Sequence, residues 1–76
     1  MIKIQLKLFV TLAKYLPENA QEYPLDEGTS IEDLITDLGL PREEVKLIFV
    51  NGRKTESSYL LQDNDRLGLF PPVGGG

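Results

Sequence analysis

The sequence of 76 residues predicts an α+β domain in which a mixed β-sheet packs against one main helix. Two patterns support this fold class. Residues 2–10 alternate between apolar and polar side chains, which is typical of a half-buried strand. Residues 31–38 instead repeat apolar side chains at helical spacing, and the other apolar runs are short and end at turn-forming residues.

The first strand is predicted over residues 2–10. Its apolar side chains share one face, which we expect to be buried: Ile2, Ile4, Leu6, Leu8 and Val10. Phe9 breaks the alternation, because it puts an aromatic ring on the polar face. The second strand is predicted over residues 22–25, and Pro24 restricts it to an edge of the sheet or to a position near a strand end.

The helix is predicted between a capping residue and a glycine. Thr29 or Ser30 can act as the N-cap, and acidic side chains occupy the first turn, where the helix dipole favours them. Four apolar side chains then form one stripe for the core: Ile31, Leu34, Ile35 and Leu38. Gly39 and the following Pro41 end the helix.

The strongest strand pattern after the helix spans residues 45–50. It ends at Asn51-Gly52, a residue pair that favours two-residue hairpin turns, so residues 53–56 are expected to begin the return strand. Residues 57–62 follow no regular pattern.

The last strand is predicted over residues 66–70, between a polar turn at residues 63–65 and Pro71-Pro72. Proline cannot donate to a strand ladder, so the strand ends there. If the helix acts as a crossover, the first and last strands lie side by side and parallel. This order of elements predicts a β-grasp, ubiquitin-like domain over residues 1–70, followed by a flexible C-terminal glycine tail over residues 71–76.

Composition excludes several classes of function. The chain contains no cysteine and no histidine, which removes thiol nucleophiles, imidazole bases and the usual zinc sites, and we predict neither a metal nor a cofactor. The net charge is −4, and residues 18–44 contain nine acidic residues but one basic residue, so we expect no nucleic-acid partner. No apolar run approaches the length of a membrane-spanning helix, so we expect no membrane partner and a soluble, cytoplasmic protein.

The three glycines at the end of the sequence, Gly74, Gly75 and Gly76, are its most informative feature. Taken alone, they are as typical of a frayed terminus as of a functional tail. The prolines before them stiffen the exit from the last strand, and the six residues from Pro71 onward can extend about 20 Å. A tail without side chains beyond Val73 can enter a narrow channel in another protein and deliver the α-carboxylate of Gly76 as its reactive group.

Residues 69–76, Leu-Phe-Pro-Pro-Val-Gly-Gly-Gly, resemble the C-terminus of the small subunit of molybdopterin synthase (MoaD), a member of the MoaD/ThiS family of ubiquitin-like sulfur carriers. That family ends in Phe-Pro-Pro-Val, one small residue and Gly-Gly. Residues 6–12, 29–34 and 50–52 resemble its first strand, its helix start and its central hairpin. The chain departs from the family at Asn64, where glycine is usual, and both residue types tolerate a positive φ.

The resemblance implies a sulfur carrier that is not catalytic alone. An E1-like adenylating enzyme would use ATP to activate the carboxylate of Gly76, and a sulfurtransferase persulfide would convert it to a thiocarboxylate. The tail, which runs from Pro71 and Pro72 to Gly76, would then insert into the large subunit of molybdopterin synthase and donate its sulfur to molybdopterin.

A docking surface for these partners is expected on the face of the sheet away from the helix. Phe9 and Phe70 would project from that face, where an apolar side chain indicates a covered surface. Further candidates are side chains of the irregular segment and basic side chains that could meet an acidic partner: Tyr59, Leu60, Arg53, Lys54 and Arg66.

Other functions fit the same residues. A related carrier would supply sulfur for thiamine, for tungsten cofactor or for tRNA thiolation. A ubiquitin-like modifier would instead join Gly76 to lysine side chains through isopeptide bonds, and a plain interaction module would not use the glycines.

Overall fold

Five strands and one α-helix are present in residues 1–72, the part of the chain that this computed structural model describes. The elements are, in chain order, β1 (Ile2–Leu8), β2 (Tyr23–Leu25), α1 (Ile31–Leu38), β3 (Leu47–Val50), β4 (Arg53–Lys54) and β5 (Arg66–Phe70). Three short 3-10 helices lie between them, over Val10–Tyr15, Ala20–Glu22 and Arg42–Glu44. No helix within residues 1–72 is long and apolar enough to cross a membrane.

The strands form one mixed sheet in the order β2-β1-β5-β3-β4. β1 and β5 are parallel neighbours, and every other pair of neighbouring strands is antiparallel. A parallel pair needs a long crossover connection, and the segment that contains α1 supplies it. The predicted fold class, a β-grasp sheet with one main helix packed on one face, is therefore confirmed.

The core lies between the sheet and α1. Two pairs of buried leucines connect β1 and β5 on this side: Leu6 with Leu67, and Leu8 with Leu69. The apolar stripe of α1 faces them with Ile31, Leu34 and Ile35, each of which is at most 1% exposed. Because burying such a side chain contributes about 1.5–3 kcal/mol, these contacts hold the helix on the sheet.

Local hydrogen bonds set both ends of α1. The Ser30 hydroxyl accepts from the Asp33 backbone N–H at 3.0 Å, and the Asp33 carboxylate accepts from the Ser30 N–H at 3.5 Å, which completes a capping box. Of the two predicted caps, Ser30 is the one used, since the Thr29 hydroxyl donates to the Asp26 carbonyl instead. Gly39 ends the helix in the left-handed conformation, with a φ of 73°.

The first strand is shorter than predicted. β1 ends at Leu8, and Val10 begins a 3-10 helix with a positive φ of 54°. The prediction that Val10 lies on the buried face is wrong, since the residue is 77% exposed. The physical reason is that a left-handed residue turns the chain and interrupts the two-residue alternation of a strand. The other strands lie within their predicted ranges, and β2, β3 and β4 are shorter than predicted.

Asp65 is the one buried acidic residue of the described chain, at 5% exposure. Its Oδ1 atom accepts from the Asn51 amide at 2.9 Å, and its Oδ2 atom accepts from the Tyr59 hydroxyl at 2.9 Å and from the Gln62 backbone N–H at 2.8 Å. A buried carboxylate needs such donors, because removing a charge from water without hydrogen bonds is costly. The predicted turn at residues 63–65 therefore also links the β3–β4 hairpin to the segment before β5.

Replacing Asp65 with asparagine tests this link. The amide matches the carboxylate in size, but its NH₂ group would face a donor where an acceptor is needed. We expect Asp65→Asn to lower the free energy of unfolding by about 1–3 kcal/mol, the cost of an unsatisfied buried polar group, as measured by urea denaturation. Asp37→Asn makes the same exchange at an exposed position of α1 and should stay within about 0.5 kcal/mol of wild type. Equal effects of the two variants would contradict the role of Asp65.

Candidate functional site

The outer face of the sheet, which is the face opposite α1, carries the predicted docking residues. One row of positions crosses four strands on this face: Lys7, Gly68, Phe49 and Lys54. Residues paired across neighbouring strands point to the same side of a sheet, and the positions between them along each strand point to the other side. The strand register therefore brings residues from distant parts of the sequence into one surface.

Two phenylalanines stack at one end of the outer face. The ring centroids of Phe9 and Phe70 lie 4.1 Å apart, and the ring planes differ by 3°. The backbone positions this pair, because the Phe9 N–H donates to the Leu69 carbonyl at 3.2 Å and continues the contact between the two strands. Phe49 meets Phe70 edge-to-face, with centroids 5.5 Å apart and 76° between the ring planes. Phe9, Phe49 and Phe70 form an aromatic cluster that is half-buried.

Gly68 leaves space beside these rings. A Cβ atom at this position would lie 3.4 Å from Cε2 of Phe9 and 3.7 Å from Cε1 of Phe70, which is ordinary van der Waals contact. The missing side chain opens a groove of about 430 Å³, lined by the aromatic cluster, Lys7 and Arg66 among others. Clefts of about 300–1,000 Å³ with apolar walls and a few polar groups are typical binding sites, so the groove can receive side chains of a docked partner.

The outer face is basic. Lys7 and Arg66 border the groove, and Lys54 continues the row on the edge strand β4. The outward-facing positions of the five described strands include no acidic residue. On the other side of the sheet, α1 carries three acidic residues and no basic one: Glu32, Asp33 and Asp37. The domain is therefore electrically polarised across the sheet, with its positive side at the groove.

The predicted docking residues lie in three places. The structure brings three of them together at the groove: Phe9, Phe70 and Arg66. Leu60 lies elsewhere, because it is 51% exposed and pairs with Ser30 at the start of α1. Arg53 and Tyr59 line a separate cavity beside the β3–β4 hairpin.

Sequence reasoning missed Phe49, Lys7 and Gly68 as site residues. A signal for Phe49 was present, because it stands between the buried Ile48 and Val50 in a predicted strand. The same alternation assigns Lys7 to the polar face. The tertiary structure decides which strands become neighbours. It therefore also decides that these positions meet in one row.

The predicted tail begins where β5 leaves the sheet. Pro71 is buried and Pro72 is exposed. Because Pro71 directly follows Phe70, the chain departs from the sheet next to the aromatic cluster. Four predicted tail residues lie outside the described residues: Val73, Gly74, Gly75 and Gly76.

Tyr59 is half-buried, and its hydroxyl donates to the Asp65 carboxylate at 2.9 Å. This hydrogen bond raises the pKa of the Tyr59 hydroxyl above its ordinary value, and burial and the negative charge of Asp65 act in the same direction. All three causes favour the protonated tyrosine. Tyr59 is thereby held as a neutral donor. Within residues 1–72 there is no group of three acidic side chains that could hold a metal ion.

Comparison with protein families supports the fold. The family model described as Mut7-C ubiquitin matches residues 1–74 of the chain. No curated protein sequence matches the chain.

Several solved structures are similar to the chain. A Pyrococcus furiosus protein assigned as subunit 1 of molybdopterin converting factor has 28% sequence identity and a TM-score of 0.71, over 96% of this chain and 100% of its own. The Haloferax volcanii HVO 2177 protein has 22% identity and a TM-score of 0.76, over 99% of this chain and 87% of its own. SAMP1 from Haloferax volcanii has 23% identity and a TM-score of 0.69, over 97% of this chain and 99% of its own. The first match confirms the predicted MoaD-like resemblance, and the other two show a shared fold.

Substitutions at Gly68 should separate the fold from the groove. Gly68→Ala adds one methyl group in ordinary contact with the rings, so we expect the free energy of unfolding to change by less than about 1 kcal/mol. Gly68→Leu would fill the groove and displace the Phe9 ring. Nuclear Overhauser contacts between Phe9 and Phe70 should persist in the alanine variant and weaken in the leucine variant. Unchanged ring contacts in the leucine variant would show that Gly68 does not determine the groove.

Tyr59→Phe should remove a pH-dependent part of the stability. Because the pKa of Tyr59 is raised in the folded state, the hydroxyl stabilises the fold fully below the unfolded value of about 10, and this contribution is lost as pH rises through the folded pKa. The difference in unfolding free energy between wild type and variant should be constant from neutral pH to about 9 and shrink above about 10. Urea denaturation at each pH measures it, and a difference that grows with pH is incompatible with this assignment.

Proposed function

The chain belongs to the Mut7-C ubiquitin family, and on this premise we propose that it is a sulfur carrier that acts through its terminal glycine. Gly76 is converted to a thiocarboxylate, which donates sulfur in molybdopterin biosynthesis. One observation carries the proposal: β5 ends at Phe70, in the aromatic cluster of the basic groove, and the buried Pro71 follows it directly at the start of the segment that ends in three glycines. The similarity to the Pyrococcus furiosus protein assigned as subunit 1 of molybdopterin converting factor supports the molybdopterin pathway.

The α-carboxylate supplies the chemistry that the side chains lack, because a chain without cysteine cannot hold a persulfide of its own. An E1-like enzyme joins the carboxylate to AMP and releases pyrophosphate from ATP, which makes the carbonyl carbon an electrophile. The terminal sulfur of a sulfurtransferase persulfide attacks this carbon, and AMP leaves. A thiol then cleaves the sulfur–sulfur bond, which leaves the thiocarboxylate on Gly76 and a disulfide on the thiol partners.

The tail and the outer face have separate tasks in this proposal. The glycines enter a narrow channel in the activating enzyme or in the large subunit of molybdopterin synthase, and the aromatic cluster binds the surface outside that channel. The six residues from Pro71 to Gly76 reach about 20 Å, so the reacting centre of a partner lies within that distance of the cluster. Ordering each glycine costs about 1–2 kcal/mol, and contacts at the outer face offset this cost. We propose that these reactions, which use ATP, take place in the cytoplasm.

Alkylation followed by intact-mass spectrometry tests the proposal. Because the chain contains no cysteine, a thiocarboxylate would be its only thiol-like nucleophile, and iodoacetamide should label it once. We expect protein isolated from its own cells to carry the mass increase of one oxygen-to-sulfur exchange at Gly76. The intact mass of the unlabelled protein also shows whether the chain ends at Gly76 with the α-carboxylate that activation requires.

Deletion of Gly75 and Gly76 should abolish the label, whereas Asp37→Asn, at an exposed position of α1, leaves both the tail and the groove intact and should retain it. Lysine-linked conjugates of Gly76 would instead identify a ubiquitin-like modifier. A Gly76 that carries neither sulfur nor a conjugate would contradict both functions. Cells with the deletion should lose molybdopterin and keep thiamine and thiolated tRNA, and loss of either of the latter would assign the sulfur to that pathway.

A further inference from the structure

Val10 adopts a backbone conformation that does not suit its residue type. Six described residues have a positive φ, and five of them are of types that tolerate it: Gly28, Gly39, Gly52, Asn51 and Asn64. The sixth is Val10, with a φ of 54°. A β-branched side chain is strained in this conformation, because its Cβ substituents crowd the backbone.

Burial of the side chain does little to compensate for this strain. Val10 is 77% exposed, so little of its apolar surface is removed from water. The turn itself uses the backbone, since the Leu12 N–H donates to the Phe9 carbonyl at 3.0 Å across it. Glycine or asparagine would make the same turn without strain. Strained residues are concentrated at binding and active sites, so a partner that contacts this side chain would account for a valine at this position.

Val10 stands next to the aromatic cluster, because it directly follows Phe9 in the chain. Its apolar side chain is exposed and therefore available to a partner that covers the aromatic cluster. We infer that Val10 is a binding residue, which extends the aromatic cluster towards a partner protein whose contact surface has an apolar centre and an acidic rim. This inference deepens the proposed function and rests on it for the role of the complex.

The charges around the patch determine the chemistry of the partner. The groove is bordered by Lys7 and Arg66. Lys54 lies next to it on β4, where it is paired with Phe49. Both ion pairs within residues 1–72 lie elsewhere: Lys3–Glu22 and Arg42–Glu32. Carboxylates on a partner would pair with these cations, whereas a second copy of the chain docked by the same face would oppose like charges. An acidic partner is therefore favoured over self-association.

Two amphipathic helical peptides provide the probe. They share one leucine face, and their polar faces carry glutamate in one peptide and lysine in the other. In an NMR titration of the isotope-labelled full chain, the glutamate peptide should shift the amide signals of Phe9, Val10, Phe49, Arg66 and Phe70. The lysine peptide should bind at least about tenfold more weakly.

Variants of Val10 separate binding from strain. Val10→Ala removes two carbon atoms and keeps Cβ, so its affinity for the glutamate peptide should fall about 4- to 15-fold, with a rise in Tm smaller than that of an asparagine variant because only the strain from branching is relieved. Val10→Asn also relieves the strain, so the same loss of affinity should accompany a rise in Tm of about 4–8 °C. Asn64→Gly, at an exposed position that already holds a tolerant residue, is the matched control and should change neither quantity.

Four results would overturn the inference. They are equal affinity of wild type and Val10→Ala, preference for the lysine peptide, self-association that Val10→Ala abolishes, and tighter peptide binding after removal of residues 73–76. The third result would identify a second copy as the occupant, and the fourth would identify the tail. The peptides do not involve the chemistry of Gly76, so failure of this test and absence of a thiocarboxylate are independent outcomes.

Discussion

The parallel pairing of β1 with β5 is the contact on which the fold and the candidate site both depend. On the inner face it joins the leucines that pack beneath α1. On the outer face it places Phe9 against Phe70 and Lys7 beside Gly68. The same contact determines where Pro71 leaves the sheet, so the point at which the predicted tail begins follows from one pair of strands.

A buried carboxylate holds the start of this pairing in place. Asp65 directly precedes β5, and its backbone carbonyl accepts from the Gln5 N–H at 2.9 Å. Its side chain binds donors from the β3–β4 hairpin and from the segment before β5. Because a charge in this position is stable only when its donors are present, the position of one strand end depends on polar contacts from three segments. Apolar packing alone would allow the strand to slip, since leucines alternate along both strands.

The candidate site and the proposed chemistry involve three physical properties. The groove beside Gly68 offers apolar surface, the cations around it select the charge of a partner, and the chain end supplies a reactive group for the proposed chemistry. The acidic residues of α1 lie on the other side of the sheet, so an acidic partner of the proposed kind would be repelled there and attracted at the groove. Val10, which directly follows Phe9, has a strained backbone conformation that costs stability. Such a residue is expected where its type is determined by binding and not by folding.

The sequence by itself determined the features that depend on neighbours along the chain: the alternation of β1, the capping of α1 and the hairpin at Asn51-Gly52. It also placed the two stacked phenylalanines on the outer face, because that assignment needs only the alternation within a strand. Tertiary structure alone decided that Val10 is exposed, that Asp65 is buried and that Gly68 opens a groove. The burial of Asp65 and the groove at Gly68 depend on strands from distant parts of the chain, and a pattern of alternating side chains carries no information about which strands become neighbours. The exposure of Val10 follows from its left-handed backbone conformation, which interrupts an alternation that the sequence alone would continue.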